Sequence, residues 1–114
     1  MHTIVETPIF IQSAKKTGVT AEELSEIITL LATTPDAGEV MPGTGGARKL
    51  RFAARGKGKS GGYRVITFYS GEDIPVFLLD IYAKGEKINL TQAEKNTLRK
   101  ILKDIVDTYR DKNR

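Results

Sequence analysis

Residues 47–83 read ARKLRFAARGKGKSGGYRVITFYSGEDIPVFLLDIYA, and this stretch decides the fold. From Leu50 to Ala54, apolar residues alternate with basic or small ones, which is the two-residue period of a strand with one apolar and one basic face. Residues 63–69 and 76–82 are rich in β-branched and aromatic side chains and are predicted as two further strands. Because short turns link them, the three strands are predicted to be antiparallel neighbours.

Two helices are predicted before this stretch. Thr7-Pro8 is typical of a helix start, with the threonine as N-cap, and Gly18 is typical of the end of that helix. Thr20 and Glu23 have the spacing of a capping box, which opens a second helix. Leucines and isoleucines follow at spacings of three, four and seven on one face, and Thr34-Pro35 ends the helix.

A third helix is predicted after the strands, where Thr91 and Glu94 form another capping box before a run with one apolar face. Residues 2–6 are predicted as a short strand. The predicted fold class is α+β, with a curved antiparallel sheet of about four strands packed against two N-terminal helices and a C-terminal helix. All of these elements are predicted to form one domain that spans residues 1–114.

The composition excludes several kinds of site. The 114-residue chain has no cysteine and a single histidine, His2, so neither a thiolate metal centre nor a histidine-based triad can be built from it. Its longest apolar runs are only a few residues, too short for a membrane span. We therefore expect a cytoplasmic protein with no metal, no small-molecule cofactor and no membrane partner.

The positive charge is concentrated in one segment. Between Val40 and Gly71 there are seven basic residues and no acidic one, although the whole chain has a net charge of only +4. A solvated surface normally mixes both signs, and a patch of one sign repels itself. The asymmetry therefore favours binding of a polyanion such as RNA over a merely solvated surface.

The basic residues of the strands are predicted to share one face. Lys49 and Arg51 are two residues apart, and Arg64 on the next strand reaches the same region if the register allows it. Tyr63 and Tyr82 provide rings on which bases can stack, with packing in the core as the alternative for both. Such a cluster suits RNA cleavage without a metal, since arginine can neutralise the charge that develops on phosphorus. A cluster that only holds phosphates is the other interpretation.

Three segments resemble the RelE/HigB superfamily of type II toxins, and most of all its HigB branch. They are GTGGARKLR at 43–51, GKGKSGGYRVI at 56–66 and LDIYAKGEK at 79–87. The resemblance implies a microbial-RNase-like sheet and ribosome-dependent cleavage of mRNA in the A site. It also implies rRNA and mRNA as partners, together with neutralisation by a cognate antitoxin, expected to be a HigA-like helix-turn-helix protein.

The resemblance also assigns roles to residues. It implies that Lys49 and Arg51 surround the scissile phosphate and that Arg64 stabilises the transition state. The sequence departs from RelE at two positions, because Gly85 stands where RelE has a second arginine and Thr91 where RelE has a C-terminal tyrosine. These departures leave the general base open.

A flexible basic turn is predicted at residues 56–62 (GKGKSGG), and either Tyr82 or a lysine of this turn is the candidate base. The predicted catalytic residues are Lys49, Arg51, Arg64, Tyr82 and Lys84, and the predicted RNA-binding residues are Arg48, Arg55, Lys57, Lys59, Tyr63 and Lys87. Two other functions remain open: a non-catalytic toxin of the ParE type, and an RNA- or ribosome-binding regulator. Paired basic residues on one strand face argue against the ParE type, since recognition of a protein does not require them.

Overall fold

The computed structural model describes residues 2–53, 62–86 and 90–112. The helices are α1 (Pro8–Thr17), α2 (Ala21–Thr33) and α3 (Gln92–Lys112). The strands are β1 (Ile4–Glu6), β2 (Glu39–Val40), β3 (Ala47–Phe52), β4 (Tyr63–Phe68) and β5 (Val76–Ala83). Residues 56–61 of the predicted basic turn lie outside the described residues. So do four of the predicted RNA-binding residues: Arg55, Lys57, Lys59 and Lys87.

The predicted helix ends are confirmed by their hydrogen bonds. Thr7 caps α1 by accepting a bond from the Phe10 N–H at 3.3 Å, and Gly18 ends that helix in the left-handed region with φ of 80°. At α2, Thr20 and Glu23 form the capping box in both directions, at 2.9 and 3.1 Å. Each bond satisfies a backbone N–H that has no partner within its helix, so the sequence pattern has a direct physical cause.

The α+β class and the antiparallel order of β3, β4 and β5 are confirmed, but the sheet has five strands and is mixed. The order is β1-β5-β4-β3-β2, with β1 parallel to β5 and β2 antiparallel to β3. The prediction of about four antiparallel strands was therefore wrong in two details. The parallel partner of β1 lies about 70 residues away in sequence, and β2 is only two residues long, so no local pattern reveals either pairing.

The sheet separates two apolar layers. On one side, Phe10 of α1 and Ile27 and Leu31 of α2 are fully buried against Leu50 and Val65 of the sheet. On the other side, α3 packs through Leu102 and its half-buried apolar neighbours against a second set of strand residues: Ala47, Ile66, Phe68 and Phe77. Because strand side chains alternate, odd-numbered residues of β3 and even-numbered residues of β4 face α3.

None of the helices in the described part of the chain has both the length and the apolar character needed to cross a bilayer.

Candidate functional site

Lys49, Arg51 and Arg64 lie on the same face of the sheet. Lys49 and Arg51 are odd-numbered residues of β3, like Ala47, and therefore point to the side on which α3 packs. Arg51 is the Cα partner of Arg64 across β3 and β4, so these two side chains emerge opposite each other. The sequence prediction that these three cations converge agrees with this register.

The three cations line an open cleft of about 610 Å³ that is bounded by β2, β3, β4 and the start of α3. Lys49 and Arg51 are exposed and Arg64 is half-buried, so all three can be reached from solvent. The other charged residues of the cleft are Glu39, from β2, and Lys95, from the first turns of α3. The cleft is therefore built from four elements and has four cations and one carboxylate among the described residues that line it.

The charges of the cleft are not neutralised within the described part of the chain. No ion pair there involves Lys49, Arg51 or Arg64, and the Arg64 Nη1 makes only a long bond of 3.4 Å to the carbonyl of Tyr63. Like charges directly opposite each other destabilise a sheet. An anion that binds between Arg51 and Arg64 would remove this repulsion, so the arrangement suits a phosphate.

Tyr82 lies directly beside the cations, as the Cα partner of Arg64 on β5. It is only 6% exposed. Burial raises the pKa of its hydroxyl, the positive charge of Arg64 lowers it, and the negative charge of Asp80 raises it, with a net upward shift. A phenol whose pKa lies above its usual value stays protonated at neutral pH, which argues against Tyr82 as a proton acceptor.

Tyr63 corrects one of the sequence predictions. Its ring is 2% exposed in the core on the α1 and α2 side, and its hydroxyl donates a 2.9 Å hydrogen bond to Glu23 Oε1 of α2. An enclosed ring cannot stack on a base, so the prediction that Tyr63 binds RNA was wrong and its alternative, core packing, is correct. Adjacent residues of a strand point to opposite faces, so Tyr63 faces away from Arg64.

Arg48 lies apart from the three cations of the cleft. It is an even-numbered residue of β3 and therefore points to the face opposite Lys49 and Arg51. Its Nη1 donates a 3.2 Å hydrogen bond to the carbonyl of Gly38, and it does not line the cleft. Arg48 thus braces the loop before β2, on the face opposite the three cations of the cleft, and its role in RNA binding stays a prediction.

Lys84 lies in the turn after β5, where it is exposed and its backbone N–H donates to the carbonyl of Gly62 at 2.9 Å. It does not line the cleft, so its catalytic role stays a prediction. Among the described residues, no group of three or more His, Cys, Asp or Glu side chains is arranged to hold a metal ion.

Two charged residues of the cleft were not predicted from the sequence. Glu39 is the Cα partner of Lys49, but its strand is too short to give a pattern. Lys95 follows the Thr91 capping box on a helix whose outer face mixes both charge signs, which is typical of a solvated face. The position of the capping box was the one available signal, because it fixes where the first turns of α3 begin.

Comparison with known families gives one match over nearly the whole chain. A family model described as "RelE toxin of RelE / RelB toxin-antitoxin system" matches residues 2–113. All described elements lie inside that match, and so do all the residues that line the cleft.

Proposed function

This chain belongs to the RelE toxin family of toxin–antitoxin systems, and we propose that it is an endoribonuclease that cuts mRNA in the A site of the ribosome. The family implies an antitoxin as partner. The observation that carries the proposal is the direct opposition of Arg51 and Arg64 in a cleft that is open to solvent. A repulsive pair of this kind costs stability unless a polyanion binds there.

The proposed reaction is a transesterification within the RNA strand. The 2′-hydroxyl loses its proton and its oxygen bonds to the adjacent phosphorus, while the bond from phosphorus to the 5′-oxygen breaks and that oxygen takes up a proton. The products are a 2′,3′-cyclic phosphate and a 5′-hydroxyl end. Arg51 and Arg64 bind the non-bridging oxygens, whose negative charge grows in the transition state, and guanidinium groups remain charged throughout.

Glu39 is the proposed proton acceptor. It lines the cleft as the Cα partner of Lys49 and is therefore a diagonal neighbour of Arg51. Diagonal neighbours on a sheet are typically about 7–8 Å apart, which long side chains can span. A carboxylate is a better acceptor at neutral pH than the buried Tyr82 hydroxyl, whose pKa is raised. We assign Tyr82 to the support of Arg64, and Lys49 to binding the scissile phosphate and returning a proton to the 5′-oxygen.

The ribosome is proposed to position the RNA for the reaction. The cleft is shallow and open, and its charged residues recognise phosphate rather than the edges of bases. Positioning of the 2′-hydroxyl in line with the leaving oxygen must then come from the surface on which the mRNA lies. The proposal thus includes rRNA as a partner, a reaction without metal, and Lys84 as an additional phosphate contact. The resemblance to the HigB branch supports a HigA-like antitoxin.

Primer extension on an mRNA in a reconstituted translation reaction tests this function. We expect wild-type protein to give cuts in phase with codons when ribosomes are present and to give none on free mRNA. Arg64→Ala should abolish the cuts, whereas Lys100→Ala, which removes an exposed cation of α3 outside the cleft, should not. Growth arrest without any mRNA cut would instead support the non-catalytic ParE type. Ribosome binding with intact mRNA and no growth arrest would support a regulator.

A further inference from the structure

The segment Gly43-Thr44-Gly45-Gly46 holds the first half of α3 against the sheet. Thr44 is fully buried, and its hydroxyl donates to the carbonyl of Met41 at 2.7 Å and accepts from the N–H of Ala47 at 3.1 Å. These two bonds fix a tight loop directly before β3. The loop is therefore a rigid support and not a flexible connection.

Contacts between this loop and α3 are close. Arg99 Nη2 donates a 3.0 Å hydrogen bond to the carbonyl of Gly43. A Cβ at Gly45 would lie 2.9 Å from Arg99 Cγ and 3.4 Å from its Cα, and a Cβ at Gly43 would lie 3.4 Å from Lys95 Cδ. The helix can approach this closely at Gly45 only because that position has no side chain, whereas at Gly43 a Cβ would make an ordinary contact.

This contact places the side chain of Lys95 at the cleft. Lys95 is half-buried and, with Leu90, forms the wall of the cleft that faces Lys49, Arg51 and Arg64. At the start of α3 the capping box occupies the backbone N–H groups of Thr91 and Glu94, at 3.0 and 3.1 Å. The positive charge that the helix contributes to the cleft is the ammonium group of Lys95.

We propose that the first turns of α3 form a second wall of the cleft, on which Lys95 binds the RNA phosphate next to the one held by Arg51 and Arg64. This inference rests on the proposed function. The substrate it requires is single-stranded RNA with at least two successive phosphodiesters. The Gly43–Gly46 loop and Arg99 are positioning residues, because they hold the helix and do not touch the RNA.

Binding of a short RNA tests the proposal without requiring cleavage. The probe is a fluorescent hexanucleotide of 2′-O-methyl RNA, which cannot undergo the reaction, and binding is measured by anisotropy over a range of salt concentrations. Lys95→Ala should weaken binding about tenfold and reduce the slope of log K against log salt by about 0.7, the value for one contact to a single strand. Lys95→Arg should restore both quantities, and Lys100→Ala, the matched control on the exposed face, should change neither.

A pair of glycine variants tests the positioning role. Gly45 and Gly18 both have φ of 80°, so an alanine meets the same backbone strain at either site, but a Cβ at Gly18 has nothing within 4 Å. Gly45→Ala should reproduce the loss of RNA affinity seen in Lys95→Ala, and Gly18→Ala should lose only stability. Thermal melts identify any variant that does not fold. If Gly45→Ala does not fold, the comparison of Lys95→Ala with Lys100→Ala still tests the proposal.

Equal affinities and equal salt slopes for Lys95→Ala and Lys100→Ala would overturn the proposal. So would a Lys95→Ala variant that loses binding to hexaglutamate while its RNA binding is unchanged, because Lys95 would then serve an acidic protein partner. If the wild-type protein binds the probe through Lys95 but cuts no mRNA on ribosomes, the nuclease assignment fails and the second phosphate site stands. If the wild-type protein cuts mRNA and Lys95→Ala leaves RNA binding unchanged, the nuclease assignment stands and the second phosphate site fails.

Discussion

Arg51 and Arg64 are Cα partners on adjacent antiparallel strands, so two guanidinium groups stand opposite each other on one face of the sheet. Neither forms an ion pair within the described residues. Without a bound anion, the repulsion between the two guanidinium groups would lower the free energy of unfolding. The presence of this pair beside a cleft is the physical reason to expect a bound phosphate.

Removing one of these charges should stabilise the fold while it damages the site. We expect Arg51→Gln to raise the free energy of unfolding by about 0.2–1 kcal/mol at low salt, the range for one like-charge pair across strands. The gain should shrink as salt screens the repulsion. Urea unfolding at two salt concentrations measures it. Lys100→Gln is the control, and a loss of stability in Arg51→Gln would show that the pair is not repulsive.

Glu39→Gln tests the proton acceptor. We expect the cleavage rate on ribosomes to fall by about 10²–10⁴-fold, the usual contribution of a general base. RNA affinity should be unchanged or higher, because the variant removes a negative charge from the cleft. Glu72→Gln, which changes an exposed carboxylate in the turn between β4 and β5, is the control. Normal cleavage by Glu39→Gln would show that Glu39 is not the proton acceptor.

Thr91→Ala and Thr20→Ala remove equivalent N-caps from α3 and α2. Each variant should lose about 0.5–2 kcal/mol of stability, as is usual for a lost cap. Only Thr91→Ala should also weaken RNA binding, because only α3 carries a residue of the cleft, Lys95. Urea unfolding and RNA anisotropy on both variants check this expectation. Equal RNA affinities in the two variants would show that the first turn of α3 does not contribute to RNA binding.

Tyr82 should make stability depend on pH in the alkaline range. Its pKa in the folded protein is raised, mainly by burial, so the folded state favours the neutral hydroxyl. The resulting stability is fully present below the pKa of an exposed tyrosine, about 10, and is lost as pH rises through the folded value. Unfolding between pH 8 and 11 should show a smaller alkaline loss in Tyr82→Phe than in wild type, and an identical loss would contradict the raised pKa.

Much of the fold followed from local patterns. The capping residues Thr7, Thr20 and Thr91 marked the helix starts, because each satisfies a backbone N–H that its helix leaves free. The alternation around Leu50 marked β3 and its two faces. What the sequence did not predict was the pairing of β1 with β5, since a pairing between distant segments depends on how the whole chain packs.

The candidate site was predictable only where one strand or two neighbouring strands determine it. The alternation on β3 and a hairpin link sufficed for Lys49, Arg51 and Arg64. The same alternation, applied fully, would have placed Arg48 and Tyr63 on the opposite face. Lys95 depends on the packing of α3 against a glycine loop about 50 residues earlier, and no period along the chain contains that information.

The central claim is that Arg51 and Arg64 hold the same phosphate, and a double-mutant cycle tests it most directly. Single-turnover cleavage of a ribosome-bound mRNA is measured for wild type, Arg51→Ala, Arg64→Ala and the double variant. Two groups that bind one phosphate should be strongly non-additive, so the double variant should be hardly slower than the slower single variant. If the two losses simply multiply, or if either single variant cleaves at the wild-type rate, the two arginines do not share a phosphate.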